Sequence, residues 1–169
     1  TVQDNAIRYA LGGIKSVGVA AMAQLRQHYR LIAMTNAQRW AFAHFDTALG
    51  HPFHAAFTTD DTGTEKPDPA FFHQVFAFVE TEGASRDDIL HVAQSQYHDI
   101  GISRALGMTN CWIERRHAVP GYGGTIAPAE FTTPDYHFTS MAALAGCGGG
   151  KGAAAEGDMA LGADEGAKV

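Results

Sequence analysis

The chain has 169 residues, of which 46% are hydrophobic, and a formal net charge of -6, enough for one domain with its own core. No apolar run approaches the roughly 18 residues of a membrane-spanning helix, and no basic stripe offers phosphate backbones a surface, so we expect neither a membrane nor nucleic acid as a partner. Two cysteines, Cys111 and Cys147, give neither a disulfide framework nor metal-ligand spacing, which favours a reducing, cytoplasmic location.

The first half of the sequence alternates between helix and strand signals. Apolar residues at every fourth position from Val17 to Tyr29 predict a helix over 16–29 with one buried face. The apolar run 31–35 predicts a strand, and 37–50 predicts a second helix. We expect the aromatic residues of that helix to pack in the core, namely Trp40, Phe42 and Phe45.

The pattern then repeats. A second strand is predicted at 53–59, followed by a polar turn at 60–64, and Asp68 with Pro69 forms the N-cap and first turn of another helix. The remaining predicted elements are a short helix or turn from Ser85, a strand at 89–93, a helix at 97–107, a strand at 108–114, a strand at 135–140 and a closing helix at 141–145.

This alternation predicts an α/β fold, a Rossmann-like parallel sheet with flanking helices, over a core domain at 16–145. From Gly146 onward more than half of the residues are Gly or Ala and none is aromatic. Little can offset the chain entropy there, so we expect a disordered Gly/Ala-rich tail at 146–169.

Polar residues follow three of the predicted strands. Thr35 and Asn36 end the first strand, Lys66 lies in the loop after the second, and Ser95 to Asp99 follow the third. In parallel α/β sheets ligands collect at the carboxyl ends of the strands. The sequence therefore predicts one site built from these three segments.

Thr35 and Asn36 offer a hydroxyl and an amide next to a helix N-terminus, a combination that can bind an anionic oxygen. The alternative is that they only cap the helix from residue 37. Lys66 is kept extended by Pro67 and is followed by a helix cap at Asp68, so its ammonium is aimed from a stiff support at a carboxylate or phosphate. A solvated surface lysine is the alternative.

Ser95 and Asp99 are four residues apart at a helix start, so both can face the strand end. Asp99 could pair with Lys66, orient it, or help to hold a cation. Its alternative role is to complement the helix dipole. The neighbouring His98 suggests proton transfer, although a surface or half-buried histidine is the plainer interpretation.

A strand that ends in Thr35-Asn36, a K-P-D-P segment at 66–69 and an apolar strand leading into S-x-x-x-D at 95–99 together resemble the haloacid dehalogenase (HAD) superfamily, in particular its 2-haloacid dehalogenase-like branch. The resemblance covers about 12–145. It implies a Rossmann-like core with an inserted cap domain, Thr35 and Asn36 as substrate-binding residues, and Lys66, Ser95 and Asp99 as catalytic residues.

The sequence departs from the family pattern in two places. The family uses an aspartate nucleophile on a first strand, yet Asp4 is the only carboxylate before residue 36 and no apolar strand leads into it. We therefore expect an N-terminal truncation, in which the first strand and most of the cap are missing and 1–15 is a remnant of the cap or linker. The second departure is Gln94, where phosphatases of the family carry an aspartate that helps to hold Mg2+.

These features leave three hypotheses. The first is a 2-haloacid dehalogenase-like hydrolase that acts on a small anionic substrate through an aspartyl ester and needs no cofactor. The second is a Mg2+-dependent HAD phosphatase with Asp99 as a metal ligand. The third is a non-catalytic remnant or interaction domain, which a start codon directly before Thr1 would favour. The exposed strand edge of a truncated sheet also predicts association, in its simplest form a homodimer.

Overall fold

The computed structural model describes residues 16–122 and 124–147. The predicted cap remnant at 1–15 lies outside these residues, and so does the predicted tail apart from Gly146 and Cys147. In the described part of the chain, no helix has the length and apolar character required to span a bilayer.

Helices and strands alternate along the described chain. The elements in chain order are α1 (Ser16–Arg26), β1 (Ile32–Met34), α2 (Arg39–Ala48), β2 (Ala55–Phe57), α3 (Thr59–Thr62), α4 (Pro69–Thr81), a 3-10 turn (Arg86–Asp88), β3 (Leu90–Ala93), a π-helical turn (Gln96–Ile100), α5 (Gly101–Ala105), β4 (Thr109–Ile113), β5 (Tyr136–Phe138) and α6 (Met141–Cys147). Most predicted elements are present but are shorter than expected at their ends.

All strand pairs are parallel, which confirms the predicted α/β class. β1 pairs with β2, Ala33 lying opposite Ala56. β4 lies between β3 and β5, with Cys111 opposite both Val92 and Tyr136. The described strands nevertheless form two sheets, of two and three strands, instead of the single sheet that was expected.

Helix α4 holds the two sheets together. Asp68 caps it by accepting a hydrogen bond from the Ala70 amide at 2.8 Å. One face is apolar and buried, and it consists of Phe71, Phe72, Val75, Phe76 and Val79. The cluster that these residues form contacts Met34 of β1 and also Ile89, which precedes β3. Because α4 covers both sheets, the carboxyl ends of β1 and β3 meet at one edge of the molecule.

Three sequence expectations are wrong in detail. The helix α1 buries Ala21 and Leu25 against Ala145, but it ends at Arg26, so Tyr29 lies beyond the buried face and is 54% exposed. Trp40 is 42% exposed instead of packed in the core, since α2 contributes no buried residue. The expected polar turn at 60–64 contains the short helix α3, whose start is fixed by a capping box.

The α4 packing gives a stability prediction. Phe71 is fully buried, so Phe71→Ala should lower the free energy of unfolding by about 3–5 kcal/mol, because it removes buried apolar area and leaves a cavity. Urea denaturation measures this change. The control is Glu80→Ala on the exposed face of the same helix, expected to change stability by less than about 0.5 kcal/mol. Equal effects would contradict the assigned core.

Candidate active site

The three polar segments do meet at one edge of the fold. Thr35 and Asn36 directly follow β1, the residues from Gln94 to Asp99 directly follow β3, and Lys66 lies in the loop between α3 and α4. Parallel strands place their carboxyl ends at the same edge.

Lys66 and Asp99 form a buried ion pair. The Lys66 ammonium lies 2.5 Å from Asp99 Oδ1, and both side chains are only 8% exposed. The same ammonium donates to the Met34 carbonyl at 2.9 Å. The plainer alternative for Lys66, a solvated surface side chain, is wrong. Breaking such a pair is costly, because the surviving partner stays charged in a poorly hydrated place.

The Met34 carbonyl lies on the side of β1 that faces away from β2. Thr35 donates its amide proton to Phe57, and Leu31 accepts one from His54, so both face β2. Successive residues of a strand point their backbone groups in opposite directions. Lys66 therefore binds β1 on the side away from β2 and also binds the segment after β3.

His91 completes the buried cluster and was missed by the sequence analysis. It lies on β3, is 5% exposed, and places Nε2 3.2 Å from Asp99 Oδ1. Its ring also packs edge-on against Phe72, with ring centres 5.4 Å apart. A signal was present in the sequence, since a polar residue within an apolar strand must find a hydrogen-bond partner once it is buried.

Asp99 is ionised in this setting. Burial by itself raises the pKa of Asp99, but the hydrogen bond from His91 and the charge of Lys66 outweigh burial, so that pKa lies below its ordinary value of 3.8. The pKa of the Cys111 thiol on β4 is shifted in the opposite direction. Burial raises the pKa of Cys111 to about 12, and this thiol is no nucleophile near neutral pH.

The Asn36 side chain forms two hydrogen bonds with the backbone of Lys66. Its Oδ1 accepts the Lys66 amide proton and its Nδ2 donates to the Lys66 carbonyl, both at 2.8 Å. Thr35 Oγ1 accepts from the Ala37 amide at 3.1 Å. Helix α2 begins at Arg39 with Gln38 as its N-cap, so the helix start expected at residue 37 is two residues early. Neither Thr35 nor Asn36 caps this helix.

The Ser95 side chain forms its described hydrogen bonds within its own turn. Its Oγ accepts from the His98 amide at 3.0 Å and lies 3.0 Å from His98 Nδ1. It caps the π-helical turn, and its carbonyl accepts from the Asp99 amide at 3.2 Å. The described contacts of the Ser95 side chain include neither Lys66 nor Asp99. Ser95 thus shapes the turn that carries Asp99.

A cavity of about 260 Å³ lies beside the site, at the carboxyl ends of β3 and β4. Gln94 and Trp112 line it, and the Trp112 indole donates to the Gln94 carbonyl at 2.8 Å. Phe131 packs edge-on against Trp112 at the cavity wall. Neither Lys66 nor Asp99 lines this cavity.

The described residues alone do not build a magnesium site. No group of three or more His, Cys, Asp or Glu side chains in the described part of the chain is arranged to hold a metal ion. At this edge Asp99 supplies a carboxylate and Gln94 an uncharged amide. Mg2+ prefers several hard oxygen ligands, so a magnesium site would need oxygens beyond those of the described residues.

No family model and no curated protein matches the chain, but solved structures do. The HAD-hydrolase YfnB from Bacillus subtilis, bound to magnesium, is 22% identical with a TM-score of 0.61 and a match over 76% of this chain and 53% of that chain. A HAD phosphatase from Thermococcus onnurineus is 23% identical with a TM-score of 0.63, over 82% of this chain and 59% of that chain.

A third similar structure is the L-2-haloacid dehalogenase from Xanthobacter autotrophicus with chloropropionic acid covalently bound. It is 18% identical with a TM-score of 0.58, over 75% of this chain and 57% of that chain. The likeness shows that the chain has the α/β core fold of HAD proteins, as the sequence resemblance implied. The chain spans between 53% and 59% of the length of these three proteins.

The Asn36 contacts predict a local effect on the Lys66 loop. Asn36→Ala should speed hydrogen exchange of the Lys66 amide, because the Lys66 backbone groups lose their partners. The free energy of opening this loop should fall by about 1–3 kcal/mol. Hydrogen exchange followed by mass spectrometry or NMR measures this. Asn36→Asp keeps the acceptor for the Lys66 amide and should retain most of the protection. Equal exchange in the two variants would refute the assigned contact.

The buried pair predicts a pH dependence of stability. The folded pKa of Asp99 is below the unfolded value near 3.8, so the unfolded chain takes up the proton first as the pH falls. The contribution of ionised Asp99 to the free energy of unfolding is complete above about pH 5, and it is lost as the pH falls through the folded pKa of Asp99. Asp99→Asn should flatten this acid limb, and at neutral pH it should cost about 3–5 kcal/mol because Lys66 loses its anion.

Urea unfolding at a series of pH values from about 2 to 7 measures both effects. The control is Asp87→Asn, which changes the net charge equally at an exposed position. If Asp99→Asn keeps the full acid dependence of the parent chain, the Lys66–Asp99 pair does not govern it.

Proposed function

We propose that this chain is the core of a HAD-superfamily hydrolase that acts on a small anionic substrate in the manner of a 2-haloacid dehalogenase. The observation that carries the proposal is the buried Lys66–Asp99 pair at the edge where the carboxyl ends of β1 and β3 meet. A charge pair is expensive to bury and is weak evidence of stability. Buried charges with perturbed pKa values occur frequently at functional sites.

In the proposed reaction an aspartate carboxylate attacks the halogen-bearing carbon of the substrate, and the halide leaves with its bonding electrons. Water then attacks the carbonyl of the resulting ester, which releases a 2-hydroxy acid and restores the carboxylate. Asp99 is held by Lys66 and His91, which makes it a poor nucleophile. The proposal therefore assigns the attack to an aspartate that the described residues do not include.

The described side chains have supporting roles in this proposal. The Lys66 ammonium balances the negative charge of nucleophile and substrate, and Asp99 fixes the direction of that ammonium. Thr35 uses Oγ1 as an acceptor, and its hydroxyl proton is left for a substrate oxygen. Asn36 donates one Nδ2 proton to Lys66 and has a second for the carboxylate or the leaving group. Ser95 supports the turn that holds Asp99.

A Mg2+-dependent phosphatase is the second candidate. What favours it is that both described hydrogen bonds to Asp99 end on Oδ1, so Oδ2 has no partner among the described residues and suits a hard cation. The uncharged Gln94 next to the turn argues for the dehalogenase-type reaction, in which a metal has no role. Mg2+, if used, would neutralise substrate charge and polarise the phosphoryl oxygen.

The test uses the natural gene product read from its own start codon. We expect chloride release from 2-chloropropionate that EDTA does not reduce, and Lys66→Ala should lower kcat by about 10²–10³-fold because charge stabilisation at the reaction centre is lost. Glu65→Gln, an exposed neighbour in the same loop, is the control and should retain activity.

Two results would replace the proposal. Mg2+-dependent phosphate release from p-nitrophenyl phosphate without chloride release would favour the phosphatase. Absence of both activities in a folded protein would favour the non-catalytic hypothesis.

A further inference from the structure

His91 is a buried polar residue that has no role in the proposed reaction as described above. It is 5% exposed, and its ring packs against Phe72 of α4. The only described hydrogen-bond partner of its ring is Asp99 Oδ1, eight residues further along the chain. A buried imidazole without any partner would cost about 1–3 kcal/mol, so this contact fixes the ring.

The contact also fixes the carboxylate. Lys66 and His91 approach the same oxygen of Asp99, from the side of β1 and from β3 respectively. An ionised carboxylate has only acceptor sites, so His91 must carry its proton on Nε2 to make this bond. Two donors on one oxygen favour the carboxylate orientation in which the second oxygen is left without either donor.

We propose that His91 is a positioning residue, whose Nε2–H holds Asp99 Oδ1 beside Lys66 and thereby presents Oδ2 to the reaction. The proposal rests on the proposed function, since it says which oxygen of Asp99 faces water in the dehalogenase reaction or a cation in the phosphatase reaction. The two oxygens of the Asp99 carboxylate then have different roles. Oδ1 aims the Lys66 ammonium, and Oδ2 is the atom available to a ligand.

The packing of His91 against Phe72 offers a simpler explanation, in which the ring only fills space. The two explanations rank substitutions in opposite order. His91→Phe preserves an aromatic ring of similar size and improves apolar packing, whereas His91→Gln places an amide donor near the position of Nε2 but fills the space less well. Space filling favours Phe, and positioning favours Gln.

The first measurement needs no substitution. In ¹⁵N-histidine-labelled protein, the His91 ring should carry its proton on Nε2, as seen from one-bond and multiple-bond nitrogen correlations. A neutral ring protonated on Nδ1 alone would overturn the proposal, because that tautomer cannot donate to Asp99. This readout is independent of any enzymatic activity.

The second measurement compares His91→Gln and His91→Phe in chemical labelling of Lys66. The Lys66 amine is labelled with acetic anhydride and quantified by mass spectrometry, under conditions in which urea melts show both variants to be folded. We expect labelling at least several-fold faster in His91→Phe and within about twofold of the parent in His91→Gln, since only Gln retains a donor to Asp99. The exposed His73→Phe is the control and should match the parent.

In the active gene product, His91→Phe should lower kcat by about 10- to 100-fold with little change in KM, the effect usual for loss of a group that orients a reacting residue. His91→Gln should restore most of this loss. If Phe equals or exceeds Gln in both Lys66 protection and kcat, His91 only fills space and the proposal fails. If the gene product has no hydrolase activity, the proposed function fails, and the tautomer and labelling results still decide the contact.

Discussion

The arrangement of the candidate site depends on one buried ion pair. Lys66 comes from a loop and Asp99 from the turn after β3, and neither element is bonded to the other through a sheet. Their contact is nearly sealed from water, so separating them would leave two charges without adequate hydration. The groups around the pair follow from this requirement. Met34 and His91 supply the remaining partners, and Asn36 holds the backbone from which the lysine extends.

The apolar face of α4 is what makes the ion pair possible. Its phenylalanines pack against residues from both sheets, and Phe72 packs against the ring of His91 beside the ion pair. Apolar surroundings strengthen the charge interactions beside them and raise the free-energy cost of leaving a buried polar group without a partner. The core and the site are therefore not separable parts. A substitution in α4 that lets water reach His91 would weaken the ion pair without touching either of its members.

Local signals in the sequence were sufficient for most of the fold. Asp68 and Pro69 specify the start of α4, and alternating apolar runs specify the strands, because caps and periodicity act over a few residues. The division into two sheets and the exposure of Trp40 depend on which neighbours lie at each edge, and periodicity contains no information about that. The motifs located Lys66 and Asp99 at strand ends. The Asn36 contact with Lys66 spans 30 residues, and the partner of His91 became evident only from its burial.

The Lys66 ammonium on the Met34 carbonyl also limits hydrogen bonding on the side of β1 that faces away from β2. Ile32 and Met34 direct their backbone groups away from β2, but the carbonyl of Met34 already has a donor. A strand laid alongside β1 in parallel would thus lack the Met34 carbonyl as an acceptor, so its pairing with β1 would end level with the ammonium. The residue that follows such a strand would then lie near Lys66. By occupying the Met34 carbonyl, Lys66 would limit how far such a strand can pair with β1, and the register of that strand would set the position of the side chain that follows it.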